Sequence, residues 1–236
     1  MPESLGGKNI CENVCDSCNH YFGSYNDGVP PIEAVLRETF GISRARFLSG
    51  FKEIGKNKTL PFFKSIYFDI DWTKREVKLK SEFKRRHLFS EYVARQLKKG
   101  LYKVILEEIE RKNKNGLDPK YDFIREFSRY NLDDYPLFYF RRKFDLIPID
   151  ITEVRNPRID WFEDGTLGHG YLIFNHSFLE FELLGHVFGI PLSKLWHLTY
   201  NMYIEESNNL KKDWFYNGFE VKALFDIDLA LRVLNT

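Results

Sequence analysis

Cysteine is scarce in this chain. Its 236 residues contain three, Cys11, Cys15 and Cys18, all close together. An odd, clustered set does not fit a disulfide framework and instead indicates metal binding. The chain also lacks an apolar run near the roughly 20 residues that cross a bilayer. Its N-terminus lacks the basic and apolar regions of a signal peptide. We therefore expect no membrane partner and a cytoplasmic location.

A strong excess of either charge is absent too. Lys and Arg number 35 against 34 Asp and Glu, a net charge of +1, which excludes a surface that attracts polyanions everywhere. Local basic patches remain, and they fit either a solvated surface or nucleic-acid contact. The larger patch comprises Lys74, Arg75, Lys78, Lys80, Lys84, Arg85 and Arg86, and the smaller one Arg141, Arg142 and Lys143.

Hydrophobic residues make up 43% of the chain, enough for a compact protein with a sizeable core. Pro30 and Pro31 end a segment rich in Gly, Asn, Ser and Cys, so we place a module boundary near residue 30. Apolar residues at helical spacing then predict a helix over residues 31–40, with Gly41 as its left-handed C-terminal cap.

Further along, alternating apolar residues predict a β-hairpin built from residues 65–72 and 76–83. An apolar stripe over residues 89–109 predicts the longest and most central helix. Asp118 and Pro119 predict the start of a shorter helix that ends near Arg129. Residues 137–140 and 170–184 favour strands, whereas residues 192–204 fit a helix or a strand. These patterns predict an α+β protein.

The Cys-x-x-Cys turn formed by Cys15 and Cys18 presents two thiolates to one metal ion, and zinc prefers such ligands in sets of four. Cys11 or His20 could complete the set within this short peptide, but the spacing is cramped. A Gly-rich loop with an incidental cysteine pair is the third alternative.

The order of the surrounding motifs is more specific. Gly-Gly at 6–7, Glu-Asn-Val at 12–14, Cys-x-x-Cys-Asn at 15–19 and Phe-Gly at 22–23 follow one another, after Pro-Glu-Ser-Leu-Gly at 2–6. This order resembles the second half of an HNH endonuclease, over about residues 1–28. The resemblance implies a partial ββα-metal module in residues 1–30, followed by a mixed helix and sheet domain of unassigned role in residues 31–236.

The resemblance also implies roles for individual residues. Asn13 matches the asparagine that orients the general-base histidine, and Asn19 matches the position near the catalytic ion, so both are candidate catalytic residues. Cys15 and Cys18 match half of a structural zinc site. The implied cofactors are structural zinc and a catalytic divalent metal such as Mg or Mn, and the implied partner is nucleic acid, first of all DNA.

One departure from the family pattern limits the expected activity. Aligned on Pro2, the general-base histidine and the upstream cysteine pair would both precede Met1. A start further upstream, a natural remnant that no longer cuts, and a partner chain that supplies the missing half are the alternatives, and we favour the first. We expect little or no cleavage by this chain alone. A non-enzymatic nucleic-acid-binding or interaction protein derived from such a nuclease is the alternative function.

Other polar residues carry weaker signals. The histidines at 169, 176 and 186 have no acidic partner at a fixed spacing and are interpreted as core or surface residues. His197, beside Trp196, is interpreted as a packed aromatic neighbour, with base stacking as the alternative. Three glutamates of the long helix, Glu107, Glu108 and Glu110, fit an ion-paired surface better than a catalytic carboxylate pair.

Overall fold

The structure, a computed structural model, describes residues 3–7, 14–25, 29–50, 63–72, 74, 76–144, 150–161 and 177–231. Helices and antiparallel sheets occur together in these ranges, which confirms the predicted α+β class. The helices are α1 (Asp16–Gly23), α2 (Ile32–Gly50), α3 (Ser81–Lys84), α4 (Phe89–Asn113), α5 (Asp122–Tyr130), α6 (Ile151–Arg155) and α7 (Tyr200–Lys211).

The strands form two antiparallel sheets. A two-stranded sheet pairs β1 (Phe68–Asp71) with β2 (Glu76–Leu79). The second sheet has the order β4-β5-β6-β3-β7, built from β3 (Phe138–Phe140), β4 (Asp160–Trp161), β5 (Phe178–Leu183), β6 (His186–Pro191) and β7 (Phe219–Glu220). Short 3-10 helices lie at Glu3–Leu5, Pro119–Tyr121, Trp196–Leu198 and Leu224–Asp226.

Helix α4 is the longest helix of the described chain, as its apolar stripe predicts. Most of its residues between Phe89 and Ile109 are buried, and it packs against both α2 and α5. Gly100 permits this closeness, since a Cβ there would lie 2.9 Å from side-chain atoms of Ile32 and Leu36 in α2. The predicted cap is confirmed, because the Asp118 carboxylate accepts the Lys120 N–H at 2.9 Å and Pro119 follows it, but it opens the 3-10 helix Pro119–Tyr121, and α5 begins after that at Asp122.

The prediction for α2 was wrong at its C-terminal end. The helix does not stop at residue 40 but continues through Gly41 to Gly50. Gly41 is not a cap: a Cβ there would come within 2.5 Å of the Phe63 ring, so the glycine serves a close tertiary contact. Such a contact leaves no local signal that distinguishes it from a cap. Two buried apolar residues beyond it, Ile42 and Phe47, continue the core-facing surface of the helix.

The β-hairpin is confirmed, but both predicted strands were too long. Strand β2 ends at Leu79, and Phe83 belongs to the helical turn α3 rather than to a strand. Its ring packs against Phe89 at a centroid distance of 4.9 Å and against Tyr67 at 5.1 Å. Before β1, the buried Glu38 carboxylate accepts the Ile66 N–H at 2.8 Å, which holds that residue outside the ladder. The ambiguous segment after residue 192 forms helical turns and α7.

The five-stranded sheet buries both of its faces. Phe181, Phe188 and Tyr139 pack into the main core under α2, whereas Phe138 and Phe178 pack against α7 on the opposite face. This alternation follows from the two-residue period of a strand. Aromatic side chains fill the α7 face, where the Phe178 and Tyr203 rings stack at 3.9 Å.

A polar network lies inside the α7 face. The Glu180 carboxylate accepts hydrogen bonds from Tyr203 Oη at 3.0 Å and from Ser207 Oγ at 2.5 Å, and it pairs with the Lys211 ammonium. Glu180 and Lys211 are each 1% exposed. A buried charge is costly unless it is paired, so the loss of one partner from this network would destabilise the packing of α7 on the sheet.

His186 is the buried polar residue of the opposite face. It is fully buried among Phe40, Tyr139 and Phe188, which confirms its interpretation as a core histidine. Nδ1 lies 3.3 Å from Tyr139 Oη, and Nε2 has no hydrogen-bond partner. Burial, with the nearby Arg142 cation, lowers the pKa of His186 to about 3, so the imidazole is neutral in the folded protein.

Side chains on both sides of residue 30 share one core. Leu5 and Phe22, at 1% and 5% exposure, belong to the same apolar cluster as α2, α4 and α5. The boundary at residue 30 stays a prediction. In the described ranges, none of the helices combines the length and the apolar character that a bilayer crossing requires.

Candidate functional site

The Cys-x-x-Cys turn opens α1. Cys15 is the N-cap in extended backbone conformation, Cys18 lies in the first helical turn, and the Asn19 N–H donates to the Cys15 carbonyl at 2.9 Å. Cys15 is exposed and Cys18 is partly buried. Cys15 Sγ lies 3.3 Å from Ser17 Oγ. The turn therefore has the local form that the family resemblance implies, two thiols at the start of a helix.

The two thiols differ in their electrostatics. Hydrogen bonds from Ser17 and from Cys18 lower the pKa of Cys15 to about 7. Burial raises the pKa of Cys18, and its contact with Cys15 adds to that effect, although the nearby Arg129 guanidinium opposes it. Cys15 is therefore the thiol that ionises first.

The pair fits zinc in ligand type but not in number. Zinc takes four soft ligands in a structural site, and the part of the chain that the structure describes contains no group of three or more Cys, His, Asp or Glu side chains arranged for a metal. His20 is exposed and lies near Ser24 Oγ, at 3.3 Å from Nε2. Two thiols alone cannot close a tetrahedron.

The structure describes only one of the two candidate catalytic asparagines. Asn19 is exposed on α1, directly after Cys18, where its amide is accessible to a ligand. Asn13 lies outside the described residues, as do Cys11 and the histidines at 169 and 176. The structure thus brings Cys15, Cys18 and Asn19 together on one helix turn.

Helix α1 is held to the core by aromatic side chains under cations. Phe22 is buried beneath Lys103, whose Nζ lies 4.9 Å from the ring centroid. The Tyr21 ring lies 4.3 Å from the Arg129 guanidinium, and the Lys99 ammonium donates to Tyr21 Oη at 2.6 Å. Cation–π contacts of this kind position the thiol turn against α4 and α5.

A cavity of about 260 Å³ lies behind the thiol turn. Its wall is largely apolar, and it also includes both cysteines and the α5 residues Ser128 and Arg129. Sequence reasoning missed this site because α1, α4 and α5 meet only in the folded chain. Lys99, a lysine within the segment predicted as the buried central helix, signalled only the neighbouring contact with Tyr21.

The residues of the larger predicted basic patch differ in their exposure and in their partners. Lys84, Arg85 and Arg86 are exposed after the β-hairpin, whereas Lys74 and Lys78 pair with acids of the hairpin itself. Arg75 lies outside the described residues, and Lys80 Nζ donates to the Ser65 carbonyl at 2.8 Å.

The second patch is not a free basic surface. Arg142 is largely buried and pairs with Glu182 at 2.6 Å, and it also donates to the Gly185 carbonyl at 2.7 Å. Lys143 donates to the Lys212 carbonyl, and Arg141 Nε is buried. The guanidinium of Arg142 therefore supports the β5–β6 hairpin rather than facing an external anion.

The structure also describes the aromatic and acidic side chains that carried weaker signals. His197 is exposed and lies edge-on to Trp196, with ring centroids 6.3 Å apart. Two of the three glutamates of α4 form the expected ion pairs, Glu107 with Lys103 at 2.7 Å and Glu108 with Lys112 at 3.7 Å. The third, Glu110, instead accepts the Gly116 N–H at 2.8 Å.

Comparison with models of known protein families, with curated proteins and with solved structures finds no match to this chain.

Proposed function

We propose that this chain is part of an HNH-type nuclease that acts on nucleic acid, first of all DNA. The observation that supports the proposal is the thiol turn: Cys15 caps α1, Cys18 lies one turn further, and the exposed Asn19 follows. This is the local order that the resemblance implies for the second half of the nuclease module. The exposed basic residues after the β-hairpin are compatible with a polyanionic substrate.

The residues would divide the work between structure and chemistry. Cys15 and Cys18 would hold one side of a structural zinc ion and so fix the start of α1. Asn19 would present its amide beside the catalytic divalent metal, and Asn13 would orient the general base. The first histidine of the sequence is His20, which follows the thiol pair. No histidine precedes Asn13, so we expect this polypeptide by itself to cut little or nothing.

Zinc binding tests the thiol assignment. The double variant Cys15→Ser and Cys18→Ser should bind zinc at least a hundredfold more weakly than the parent in competition with a chromogenic chelator, because both soft ligands are lost. Cys11→Ser is the matched control and should leave the affinity unchanged. Equal losses from all three cysteines would instead support the self-contained site that includes Cys11.

Nicking of supercoiled plasmid in magnesium or manganese tests the catalytic assignment. Asn13→Ala and Asn19→Ala should abolish whatever cleavage the parent protein shows, alone or with a fragment that supplies the base. Asn201→Ala, an exposed asparagine on α7, is the matched control. Robust cleavage that survives both Asn13→Ala and Asn19→Ala would refute the site.

A non-enzymatic nucleic-acid-binding protein is the second candidate, favoured by the exposed Lys84 and Arg85. If these two side chains contact phosphates, replacing both by Gln should lower the slope of log affinity against log salt by about 2. Replacing Arg111 and Lys112, exposed at the end of α4, provides the charge-matched control. An unchanged slope would remove the hairpin patch from the interface.

A further inference from the structure

Arg129 has hydrogen-bonding capacity that the protein does not use. Its Nε is buried without a hydrogen-bond partner, and no ion pair joins Arg129 to a carboxylate within the described residues. The guanidinium lies 4.3 Å from the Tyr21 ring and 5.3 Å from the Tyr130 ring, and it donates a hydrogen bond to the Cys18 thiol. An arginine held by aromatic rings with an unused donor is suited to bind an oxyanion.

Ser128 adds a second unused polar group. It is 3% exposed, and its Oγ has no hydrogen-bond partner. A buried hydroxyl without a partner is costly, so it indicates either strain or a ligand that is bound in function. Ser128 and Arg129 are adjacent in α5, and both line the cavity behind the thiol turn. Two unsatisfied polar groups at one largely apolar cavity point to a ligand that brings acceptor oxygens.

A further cation, Lys99, lies outside the cavity wall, on the far side of Tyr21. Lys99 is 2% exposed and makes its hydrogen bond to the neutral Tyr21 hydroxyl. Burial, reinforced by the Arg95 and Arg129 cations, lowers the pKa of Lys99 to about 8. An anion bound nearby would relieve that repulsion.

The acidic residues of the cavity wall are already occupied. The Glu107 carboxylate pairs with Lys103 at 2.7 Å, and Glu110 accepts the Gly116 N–H at 2.8 Å. Among the other cations of the wall, Arg125 pairs with Asp122. Neither glutamate forms an ion pair with Arg129.

We propose that Arg129 and Ser128 form an oxyanion site that binds a phosphate group in the cavity between α1, α4 and α5. Arg129 donates to the phosphate oxygens through its fork of N–H groups, Ser128 donates through Oγ, and Lys99 supplies a supporting positive field from behind Tyr21. The source of the phosphate rests on the proposed function: a nucleic-acid strand that passes the thiol turn would place a backbone phosphate here. Free phosphate would make the same contacts.

Titration of the full chain with inorganic phosphate tests the site, followed by NMR of the arginine Nε–Hε signals. The Arg129 signal should shift with saturation in the parent protein. Arg129→Gln should weaken phosphate binding at least tenfold, and Ser128→Ala should weaken it severalfold. Arg158→Gln, which removes an exposed arginine, is the matched control and should bind as the parent does. Equal phosphate affinity in the Arg129→Gln and Arg158→Gln proteins would overturn the proposal.

A further variant protects this test against loss of folding. Arg129→Lys keeps the charge but loses the planar fork, so it should melt close to the parent and bind phosphate with intermediate affinity. Phosphate affinity equal to the parent in this variant would overturn the role of the fork.

A short single-stranded DNA with a fluorescent label distinguishes the two sources. If the strand supplies the phosphate, inorganic phosphate competes with the DNA, and Arg129→Gln lowers the salt slope of DNA binding by about 1. Phosphate binding without such competition identifies the free anion as the ligand and retains the site. The zinc and nicking experiments use other residues, so a negative result there would remove the nuclease proposal and leave the oxyanion site standing.

Discussion

The buried histidine makes the free energy of unfolding depend on pH in a way that one substitution should remove. His186 has an ordinary pKa of 6.5, which burial lowers to about 3 in the folded protein. Between these values the unfolded chain binds a proton that the folded chain does not, so stability falls as the pH falls below 6.5. At 1.36 kcal/mol for each pKa unit, moving from pH 7 to pH 4.5 should cost roughly 2–3 kcal/mol through this residue.

His186→Phe should abolish this contribution. Phenylalanine fits a site lined by Phe40, Tyr139 and Phe188, and it removes the unpartnered Nε2. The measurement is urea unfolding of parent and variant at both pH values. The parent should lose roughly 2–3 kcal/mol more than the variant on acidification.

A matched exposed histidine isolates the effect of burial. His197→Phe makes the same replacement at an exposed position, so its acid loss should equal that of the parent. Carboxylates that titrate in this range contribute alike to all three proteins, and their effect cancels in the comparison. An equal acid loss in the parent and the His186→Phe variant would mean that His186 accepts a proton while folded, and the reasoning would then be refuted.

Three further outcomes are expected. Lys211→Met should lower the free energy of unfolding in urea by about 3–5 kcal/mol because it leaves the buried Glu180 carboxylate unpaired; adding Glu180→Gln should recover part of that loss, and a double variant less stable than the single one would contradict this account. Iodoacetamide at pH 7 should alkylate Cys15 faster than Cys18, since the pKa of the former is about 7 and burial raises that of the latter; peptide mass spectrometry gives the order, and faster labelling of Cys18 would be the contrary result. Gly189→Ala should lower the melting temperature by several degrees, because the added methyl would overlap the hydroxyl of Tyr203, a buried residue of α7. An unchanged melting curve would show that α7 can shift to accommodate the methyl without loss of stability.

Local patterns predicted those parts of the fold that local physics determines. The stripe of α4 repeats over many turns, and the Asp118 cap needs only its own neighbours. Gly41 is the counterexample: glycine after an apolar helix usually marks an end, but here it makes room for Phe63, a residue from another part of the chain. A helix end that is determined by a tertiary contact cannot be predicted from the residues next to it in the sequence.

The candidate site divides along the same line. The thiol turn was predictable because Cys15, Cys18 and Asn19 belong to one short sequence motif. Arg129 and Lys99 were not, since each is unremarkable within its own helix and gains meaning only where α4 and α5 meet α1. These two cations lie close to each other only because the helices α1, α4 and α5 pack together.

The Glu180 carboxylate also determines the position of α7 along the sheet. Tyr203, Ser207 and Lys211 follow one another at four-residue intervals, so one side of the helix presents three donors to Glu180. A slide by one turn, about 5.4 Å, would carry the ammonium away from its partner. Apolar packing alone would allow α7 to pack at several neighbouring positions on the sheet. The hydrogen bonds to the single buried acceptor, Glu180, select one of these positions.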